Sequence, residues 1–240
     1  MRILNAVRQV SVEELTTRLG VSEVTVRKDL NYLQDLGRLR RTRGGAAIVE
    51  DYSAVRPLPN RREEHLAEKD AIAERAAALV KPDDAVYVDA GSTCARLVAH
   101  LSALPLHVVT NSLDVIVGLA AAPDVALHAV GGNLRRDAGS FIGPSAVRTI
   151  ANVRVDIAFL GATGISPDGV FSSENAIEAD VKRAVVQSAR RRVVLADSRK
   201  LGAEAFAVFA RTGDIDLLIT NDIPEAREFC ALLEIETIFI

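Results

Sequence analysis

The run VDAGST at residues 88–93 has the composition of a turn that binds an anion. Gly91 lets the backbone approach a ligand closely, Ser92 and Thr93 offer hydroxyl groups, and the free N–H groups at a helix start attract negative charge. An ordinary capped turn between a strand and a helix has the same composition, so this run alone does not establish a ligand site.

Similar small and polar residues follow the other predicted strands of the same region. They are Thr110-Asn111-Ser112, Gly131-Gly132, Gly161-Ala162-Thr163-Gly164, Asp197-Ser198-Arg199-Lys200 and Asn221-Asp222. Parallel strands bring their carboxyl ends to one edge of a sheet, and ligands of such sheets bind beyond that edge. With Lys200 as a countercharge, the repetition predicts a site for a phosphorylated or otherwise anionic small ligand.

Strands and helices alternate from residue 84 onward, and this pattern predicts how those polar residues are held. The predicted strands span residues 85–89, 106–110, 125–130, 157–160, 193–196, 217–220 and 236–240, and the predicted helices span 68–80, 93–102, 113–121, 179–189 and 224–233. Strands of near-continuous Val, Ile and Leu between helices are typical of a parallel sheet that is covered on both faces. We therefore expect a doubly wound, mostly parallel α/β domain.

Two short helix patterns joined by a glycine turn lie within residues 11–37 and predict a helix-turn-helix unit. Ser11 caps the first helix, Glu14 completes a capping-box spacing, and Ser22 caps the second helix. The apolar residues on one face of each helix are Val12, Leu15 and Leu19, then Val26, Leu30 and Leu33, and the helices end at Gly20 and Gly37. Ile3, Leu4 and Val7 are typical of the last turns of a preceding helix.

The exposed face of the second helix and the basic segment after it are candidates for binding DNA. The helix residues are Ser22, Glu23, Thr25, Arg27 and Lys28, which can reach base edges and phosphates in a major groove. The segment GRLRRTRGGAAI at residues 37–48 predicts a two-stranded wing that turns at Gly44-Gly45, with Arg40, Arg41 and Arg43 beside the phosphate backbone. Together, the helix and the hairpin predict contact with double-stranded DNA.

The charge distribution agrees with a basic N-terminal region. Residues 1–62 carry 12 basic and 7 acidic side chains, a net charge of +5, whereas residues 63–240 carry 17 and 25, a net charge of −8. A basic segment on an acidic remainder predicts that the N-terminal part binds a polyanion.

Several other classes of protein are disfavoured. The two cysteines, Cys94 and Cys230, have no CxxC spacing, and the four histidines have no metal-ligand spacing, so we expect no metal and no cofactor. No Walker-type motif, signal peptide or run of 18 apolar residues is present, and a reducing cytoplasm fits the cysteine content.

The string SVEELTTRLGVSEVTVRKDLNYLQDLGRLRRTRGGA resembles the N-terminal winged helix-turn-helix of DeoR-family transcriptional regulators. The family usually has Arg in place of Lys28 and His in place of Arg43, and both differences bear on base preference. The motifs VDAGST, TNS, GG, FIGP, FLGATGI and ADSRK resemble the effector domain of the same family. This resemblance implies a fold related to ribose-5-phosphate isomerase and a phosphorylated sugar as the ligand.

By the same resemblance, a set of residues becomes candidate contacts of the effector. They are Asp89, Gly91, Ser92, Thr93, Asn111, Ser112, Gly132, Gly143, Glu174, Lys182 and Lys200. Glu174 and Lys182 lie in a less patterned region, where ordinary surface charges are an equal alternative. Arg135 and Arg136 are either helpers of anion binding or partners in a subunit contact.

These observations predict a DNA-binding domain at residues 1–49, a linker at 50–66 and an effector-binding and oligomerisation domain at 67–240. The resemblance to the DeoR family implies a repressor of sugar or carbohydrate metabolism genes that leaves its operator when a phosphorylated sugar or a related metabolite binds. We expect a homodimer or homotetramer, because paired operator half-sites match the symmetry of an oligomer. Activation in place of repression stays open. The bound protein is expected on the nucleoid.

The alternative is a sugar-phosphate isomerase with an accessory DNA-binding domain, because Asp89, Glu174 or Asp197 can supply a carboxylate base. The related isomerases have an acid-rich glycine motif, whereas FLGATGI and ADSRK lack it. We therefore expect a regulator and not an enzyme. The sugar phosphate and the operator sequence are not predicted.

Overall fold

Two compact units, residues 1–54 and 55–240, make up the chain in the computed structural model. The described residues are 9–35, 40–42, 44–47 and 65–240. The first unit, here called the N-terminal unit, and the second, called the body, have separate hydrophobic cores. The predicted linker lies mostly outside the described residues, so the predicted domain bounds stay a prediction.

The N-terminal unit contains the predicted pair of helices, α1 at Val12–Leu19 and α2 at Glu23–Asp35. Ser11 caps α1, since its Oγ accepts the N–H of Glu14 at 3.0 Å, and Gly20 ends the helix in the left-handed region at φ 66°. Ser22 Oγ accepts the N–H of Thr25 at 3.2 Å and so caps α2. The helix-turn-helix is therefore confirmed with its two caps.

The core of this unit is built from one face of each helix. Val12, Leu15, Val26 and Leu30 are buried, as the spacing predicts. Leu19 is 55% exposed, so its predicted place on the buried face of α1 is wrong; the helix ends at this residue, where the chain turns. The predicted helix end at Gly37 and the preceding helix at Ile3–Val7 lie outside the described residues.

A small antiparallel sheet completes the described part of this unit. β1 is Gln9–Ser11, β2 is Arg40–Thr42 and β3 is Gly45–Ala47, in the order β1-β3-β2. Gly44 turns the hairpin at φ 83°. The predicted wing is therefore three-stranded and not two-stranded, because the chain just before α1 pairs with β3 on its free side.

The body is built on a seven-stranded parallel sheet with the order β15-β14-β12-β9-β4-β5-β6. These strands are β4 Ala85–Val88, β5 Leu106–Thr110, β6 Val125–Ala129, β9 Val155–Gly161, β12 Ala189–Leu195, β14 Leu217–Thr220 and β15 Thr237–Phe239. Their pairings are all parallel. The predicted parallel strands are thus confirmed.

Helices cover both faces of this sheet. They are α3 Leu66–Ala77, α4 Val98–Leu101, α5 Leu113–Leu119, α6 Pro144–Ala151, α7 Ala176–Ser188 and α8 Pro224–Leu233, and a 3-10 turn at Cys94–Leu97 precedes α4. Val86 and Val88 lie in one core and Tyr87 lies in the other, as alternation along a doubly covered strand requires. The α/β class is confirmed, and the helix predicted at 93–102 is divided between the 3-10 turn and α4.

Two antiparallel additions were not predicted. β7 Asn133–Arg135 and β8 Ser140–Ile142 form a hairpin, and β10 Gly164–Ile165, β11 Val170–Ser173 and β13 Ala207–Arg211 form a separate sheet. Most of these strands have only two to four residues, too short for a hydrophobic period to indicate them. None of the described helices has the length and apolar character that a bilayer crossing requires.

Candidate functional site

The chain order of the parallel strands reverses between β4 and β9. From β4 the chain proceeds outward through β5 and β6, whereas β9 lies on the opposite side of β4 and leads outward to β12, β14 and β15. Such a switch point opens a crevice beyond the carboxyl ends of the two central strands. Asp89 follows β4, and Gly161 ends β9, so both lie at this position.

A buried ion pair joins the switch point to α7. Asp89 and Lys182 have side chains that are only 1% and 3% exposed, and Lys182 Nζ pairs with Asp89 Oδ2. The N–H of Gly161 donates to the same carboxylate oxygen at 3.0 Å, and Lys182 Nζ donates to the Gly161 carbonyl at 2.9 Å. Lys182 is therefore not a surface charge, which removes one of the two alternatives for this residue.

The Lys182 ammonium keeps its charge in this position. Burial by itself lowers its pKa, but the carboxylates of Asp89 and Glu178 outweigh burial and hold the pKa above its ordinary value. The ammonium also lies 5.4 Å from the centre of the Phe209 ring. Because Asp89 is held by both Lys182 and the Gly161 backbone, its carboxylate orders the switch point and is poorly placed to act as a mobile base.

The turn at Gly91–Thr93 lies between β4 and the 3-10 turn at Cys94–Leu97. Gly91 adopts φ 145°, and a Cβ built on it meets no atom within 4 Å, so its outer side is open. Ser92 is half-buried, Thr93 is buried, and both directly precede the 3-10 turn. Burial and Asp89 raise the pKa of the Cys94 thiol far above its ordinary value, so this neighbour stays protonated and unreactive.

Asn111 and Ser112 hold the carboxyl end of β5. The Tyr87 hydroxyl donates to Asn111 Oδ1 at 2.8 Å, and Asn111 Nδ2 donates to the Phe141 carbonyl at 3.2 Å. Ser112 Oγ accepts the N–H of Val115 at 3.4 Å and caps α5. The bond from Asn111 to Phe141 attaches the β7–β8 hairpin to the central sheet, and an effector contact from Asn111 or Ser112 stays a prediction.

Glycines with positive φ stand at both ends of the β7–β8 hairpin. Gly132 has φ 146°, and a Cβ there would lie 2.6 Å from the Ile142 carbonyl oxygen; Gly143 has φ 101°. These backbone requirements explain the two glycines without any ligand. Their predicted role as effector contacts is not tested by this geometry.

Arg135 ties the hairpin to the start of α7. Its guanidinium lies 2.7 Å from Glu178, 3.1 Å from Glu174 and 2.9 Å from Asp137. The side chain is only 13% exposed. The guanidinium thus has carboxylate partners within the same chain, an arrangement that neither predicted role for Arg135 includes. Glu174 lies beside it at the carboxyl edge, by which we mean the sheet edge where the parallel strands end.

The turn after β12 brings further charge to the carboxyl edge. Asp197 is buried, and Lys200 ends a 3-10 turn at Ser198–Lys200. Burial alone would raise the pKa of Asp197, but hydrogen bonds from Arg199 and the charges of Lys200 and Lys69 lower it below its ordinary value. Asp197 is therefore ionised at neutral pH and is surrounded by cationic side chains.

Sequence reasoning missed Lys69, which is only 2% exposed in the first turns of α3. A signal for it exists, because Lys69, Ile72, Ala73 and Ala76 have the spacing of one helix face, and the last three are fully buried. A lysine on a buried face needs a charged partner.

In the N-terminal unit, the predicted DNA-binding residues of α2 are exposed. Ser22, Glu23, Thr25, Arg27 and Lys28 all lie on the solvent side of the helix. Arg27 Nη2 lies 3.1 Å from Glu23 Oε2, and the hydroxyls of Ser22 and Thr25 are 2.9 Å apart. Val24 is 77% exposed among them, although it is apolar.

The basic residues of the hairpin are described only in part. Arg40 and Arg41 lie on β2, whose backbone pairs with β3, and Gly44 forms the turn as predicted. Arg43 lies outside the described residues. Groups of three or more His, Cys, Asp and Glu placed to hold a metal ion are absent from the described part of the chain.

A helix-turn-helix with a small β-sheet, joined to an α/β body with a polar carboxyl edge, defines a class: DNA-binding transcriptional regulators with a second, sensing domain. The family model described as the DeoR C terminal sensor domain matches residues 64–222, and the DeoR-like helix-turn-helix domain matches residues 1–51. The chain belongs to the DeoR family, and it is a regulator rather than an enzyme.

Curated relatives extend over most of the chain. The HTH-type transcriptional repressor GlcR of Bacillus subtilis is 32% identical over 94% of this chain and 87% of that protein. The glycerol-3-phosphate regulon repressor of Haemophilus influenzae is 32% identical over 93% of this chain and 89% of that protein. Among solved structures, ribose 5-phosphate isomerase A of Methanocaldococcus jannaschii is similar with a TM-score of 0.41 and 20% identity, over 55% of this chain and 52% of that one.

Proposed function

We propose that this chain represses genes of sugar or carbohydrate metabolism and leaves its operator when a phosphorylated sugar or a related metabolite binds to the body. The phosphate occupies the turn at Gly91–Thr93, and Lys200 supplies a countercharge. The exposed face of α2 and the basic hairpin bind the operator. The protein acts as a homodimer or homotetramer in the bacterial cytoplasm, and on the nucleoid when it is bound to DNA.

The open turn at the switch point is the main structural observation that supports an effector site in this position. Gly91 has no neighbour on its outer side, and the hydroxyl residues Ser92 and Thr93 come next along the chain. Asp89 beneath the turn is already neutralised by Lys182, so its negative charge does not oppose an incoming anion. A relative is named as the repressor of a glycerol-3-phosphate regulon. Glycerol 3-phosphate is a phosphorylated polyol, which is chemically similar to a sugar phosphate.

The DNA site is supported by the exposed polar and cationic side chains of α2. Arg27 and Lys28 are exposed, whereas Val26 and Leu30 are buried and anchor the helix in the core of its unit. A helix that is anchored on one face and presents polar and cationic side chains to solvent can enter a major groove. Paired half-sites in an operator match the symmetry of a dimer or tetramer.

Release by the effector requires a difference in affinity. A ligand shifts an equilibrium only when it binds one state more tightly than the other, so the sugar phosphate must favour the geometry that does not bind DNA. The sign of regulation follows from this preference. The opposite preference would make the same ligand a co-repressor.

A thermal-shift screen tests the effector site. Phosphorylated sugars and glycerol 3-phosphate are compared with their unphosphorylated forms, because a ligand that binds only the native state raises the melting temperature. We expect a rise with at least one phosphorylated compound and none with its unphosphorylated partner. Replacing Lys200→Ala should reduce this rise, whereas Arg190→Ala, which removes an exposed charge that pairs with Asp156, should not.

The same compounds are then tested for release and for turnover. A duplex is selected from random sequences by the protein, and its affinity is measured with and without each stabilising compound. Release without turnover supports the proposal. Brisk interconversion of sugar isomers by protein that ignores duplex DNA at low salt would contradict it.

A further inference from the structure

The first helix of the body packs against the turn that the proposed effector occupies. α3 leads into β4 by a short connection, so it runs antiparallel to that strand and begins at the carboxyl edge. Ile72, Ala73 and Ala76 of α3 are fully buried in the same core as Cys94 and Leu97, which directly follow the turn at Gly91–Thr93. A displacement of the turn would therefore also displace the residues of α3 that pack beside it.

An ion pair joins the same two elements at the carboxyl edge. Arg96 Nη2 donates to Asp70 Oδ2 at 3.0 Å, and Arg96 Nε donates to the other carboxylate oxygen. Two parallel bonds fix the relative orientation of the groups as well as their distance. Both side chains are more than 40% exposed, so the pair adds little stability. Its main effect is to fix the position of α3 relative to the 3-10 turn.

Lys69, the neighbour of Asp70, is buried, and its positive charge is one of those that lower the pKa of Asp197, which follows β12 and directly precedes the 3-10 turn of Lys200. α3 also packs against β12 and β14, and Asp197 and Asn221 follow the ends of these strands. α3 thus packs against the turn after β4 and against two strands that end at the other part of the proposed site.

We propose that α3, through Lys69 and Asp70, transmits occupancy of the effector site to the segment that leads to the N-terminal unit. This inference rests on the function proposed above. A phosphate near Gly91 and Lys200 competes with Asp197 for the Lys69 ammonium and repositions Arg96, which is paired with Asp70. Both changes act on the first turns of α3, and the predicted linker ends at residue 66, where this helix begins.

Lys69 and Asp70 are positioning residues in this scheme, and coupling is the readout that separates them from structural residues. The effector's coupling is the factor by which it weakens operator affinity, typically about 5- to 150-fold in allosteric proteins. Asp70→Asn is expected to leave operator affinity without effector, and effector affinity, within about threefold of wild type, and to reduce the coupling at least fivefold. Lys69→Met is expected to reduce it further.

The matched control is Glu74→Gln. It removes one negative charge from an exposed position one turn further along the same helix, away from Arg96. Its coupling should equal that of wild type. If Lys69→Met folds poorly, Asp70→Asn alone tests the proposal, because its side chain is largely exposed.

Hydrogen exchange of the full-length protein supplies a second measurement, with inorganic phosphate, glycerol 3-phosphate and a panel of sugar phosphates as probes. We expect slower exchange both at residues 91–97 and at residues 66–72 of wild type, and only at 91–97 in Asp70→Asn. Protection of 91–97 alone in wild type, with full release by both variants, overturns the role of α3 and leaves the proposed function intact. If no probe protects 91–97 or releases DNA, the proposed function fails and the role of α3 fails with it.

Discussion

The helices of the N-terminal unit and the switch point of the body hold their charges in opposite ways. In the N-terminal unit, the ion pairs of the described helices are exposed and lie within one helical turn, as in Arg27–Glu23 and Arg18–Glu14. In the body, Asp89 and Lys182 are buried, and 93 residues of sequence separate them. Exposed cations are available to exchange a weak partner for a phosphate, whereas buried ones fix the shape of a sheet edge.

This contrast separates the energetic roles of the two regions. Losing an exposed pair on α2 costs the fold little, so that surface is free to be selected for DNA binding. Losing one member of the buried pair leaves an uncompensated charge in the core. Substitutions in the buried pair of the body should therefore act first on stability, and substitutions on α2 should act first on operator affinity.

The largest expected effect comes from breaking the buried pair. Lys182→Met leaves Asp89 buried without its cation, and the free energy of unfolding of the body should fall by about 3–5 kcal/mol. Urea unfolding followed by circular dichroism measures this change. The double variant Asp89→Asn with Lys182→Met should be more stable than Lys182→Met alone, and a single variant within about 1 kcal/mol of wild type would show that the pair is not decisive.

Asp197→Asn tests how the second buried carboxylate contributes to the pH dependence of stability. Its pKa is lowered in the folded state, so its stabilising effect is complete above the unfolded pKa of about 4 and is lost as the pH falls through the lower folded value. We expect the free energy of unfolding of wild type to exceed that of the variant by about 1.5–3 kcal/mol at pH 6–8. This difference should shrink below about pH 4. Asp222→Asn, at an exposed pair with Arg227, should show a smaller difference. A pH-independent gap for Asp197→Asn would contradict this assignment.

Arg27→Ala sharpens the comparison from the other side. Loss of a base or phosphate contact should weaken operator binding by about 1–3 kcal/mol, or roughly 5- to 150-fold, without a change in the melting temperature of the body. Fluorescence anisotropy with a labelled duplex measures the affinity. Arg190→Ala removes the same charge from the body, where the side chain is 79% exposed, and should leave operator affinity unchanged. Equal losses in both variants would indicate a general charge effect.

The smallest expected effect is at the cap of α1. Ser11→Ala removes the acceptor of the Glu14 N–H and should destabilise the helix by about 1 kcal/mol, measured as faster hydrogen exchange at the amides of residues 14–16. Thr17→Ala removes an exposed hydroxyl from the same helix. It should change the opening free energy that is derived from the exchange rates by less than about 0.5 kcal/mol. Exchange in the body should not respond to either change.

The same contrast explains how far the sequence alone can lead. The caps at Ser11 and Ser22 and the exposed cations of α2 depend on residues within one helical turn, and local spacing predicts them. The gathering of the polar strand ends at the carboxyl edge also follows, because parallel strands of a doubly wound sheet share that edge.

Pairings between distant residues do not follow from local spacing. The spacing within α7 does not show that Lys182 reaches Asp89, or that Arg135 on a three-residue strand meets Glu174 and Glu178. Lys69 was missed for the same reason, since its partners belong to other elements. Asn111 and Gly132 were predicted as effector contacts, and the structure gives them hydrogen-bonding or backbone roles that the sequence did not reveal.

The central claim is that a phosphorylated ligand at the carboxyl edge of the body changes the affinity of the N-terminal unit for its operator. The direct test is a titration of labelled operator with the full-length protein, at fixed salt, with and without each sugar phosphate that stabilises the fold. We predict that at least one of them weakens binding about 5- to 150-fold while its unphosphorylated form does not. Operator affinity that stays constant in the presence of every stabilising sugar phosphate would contradict the claim.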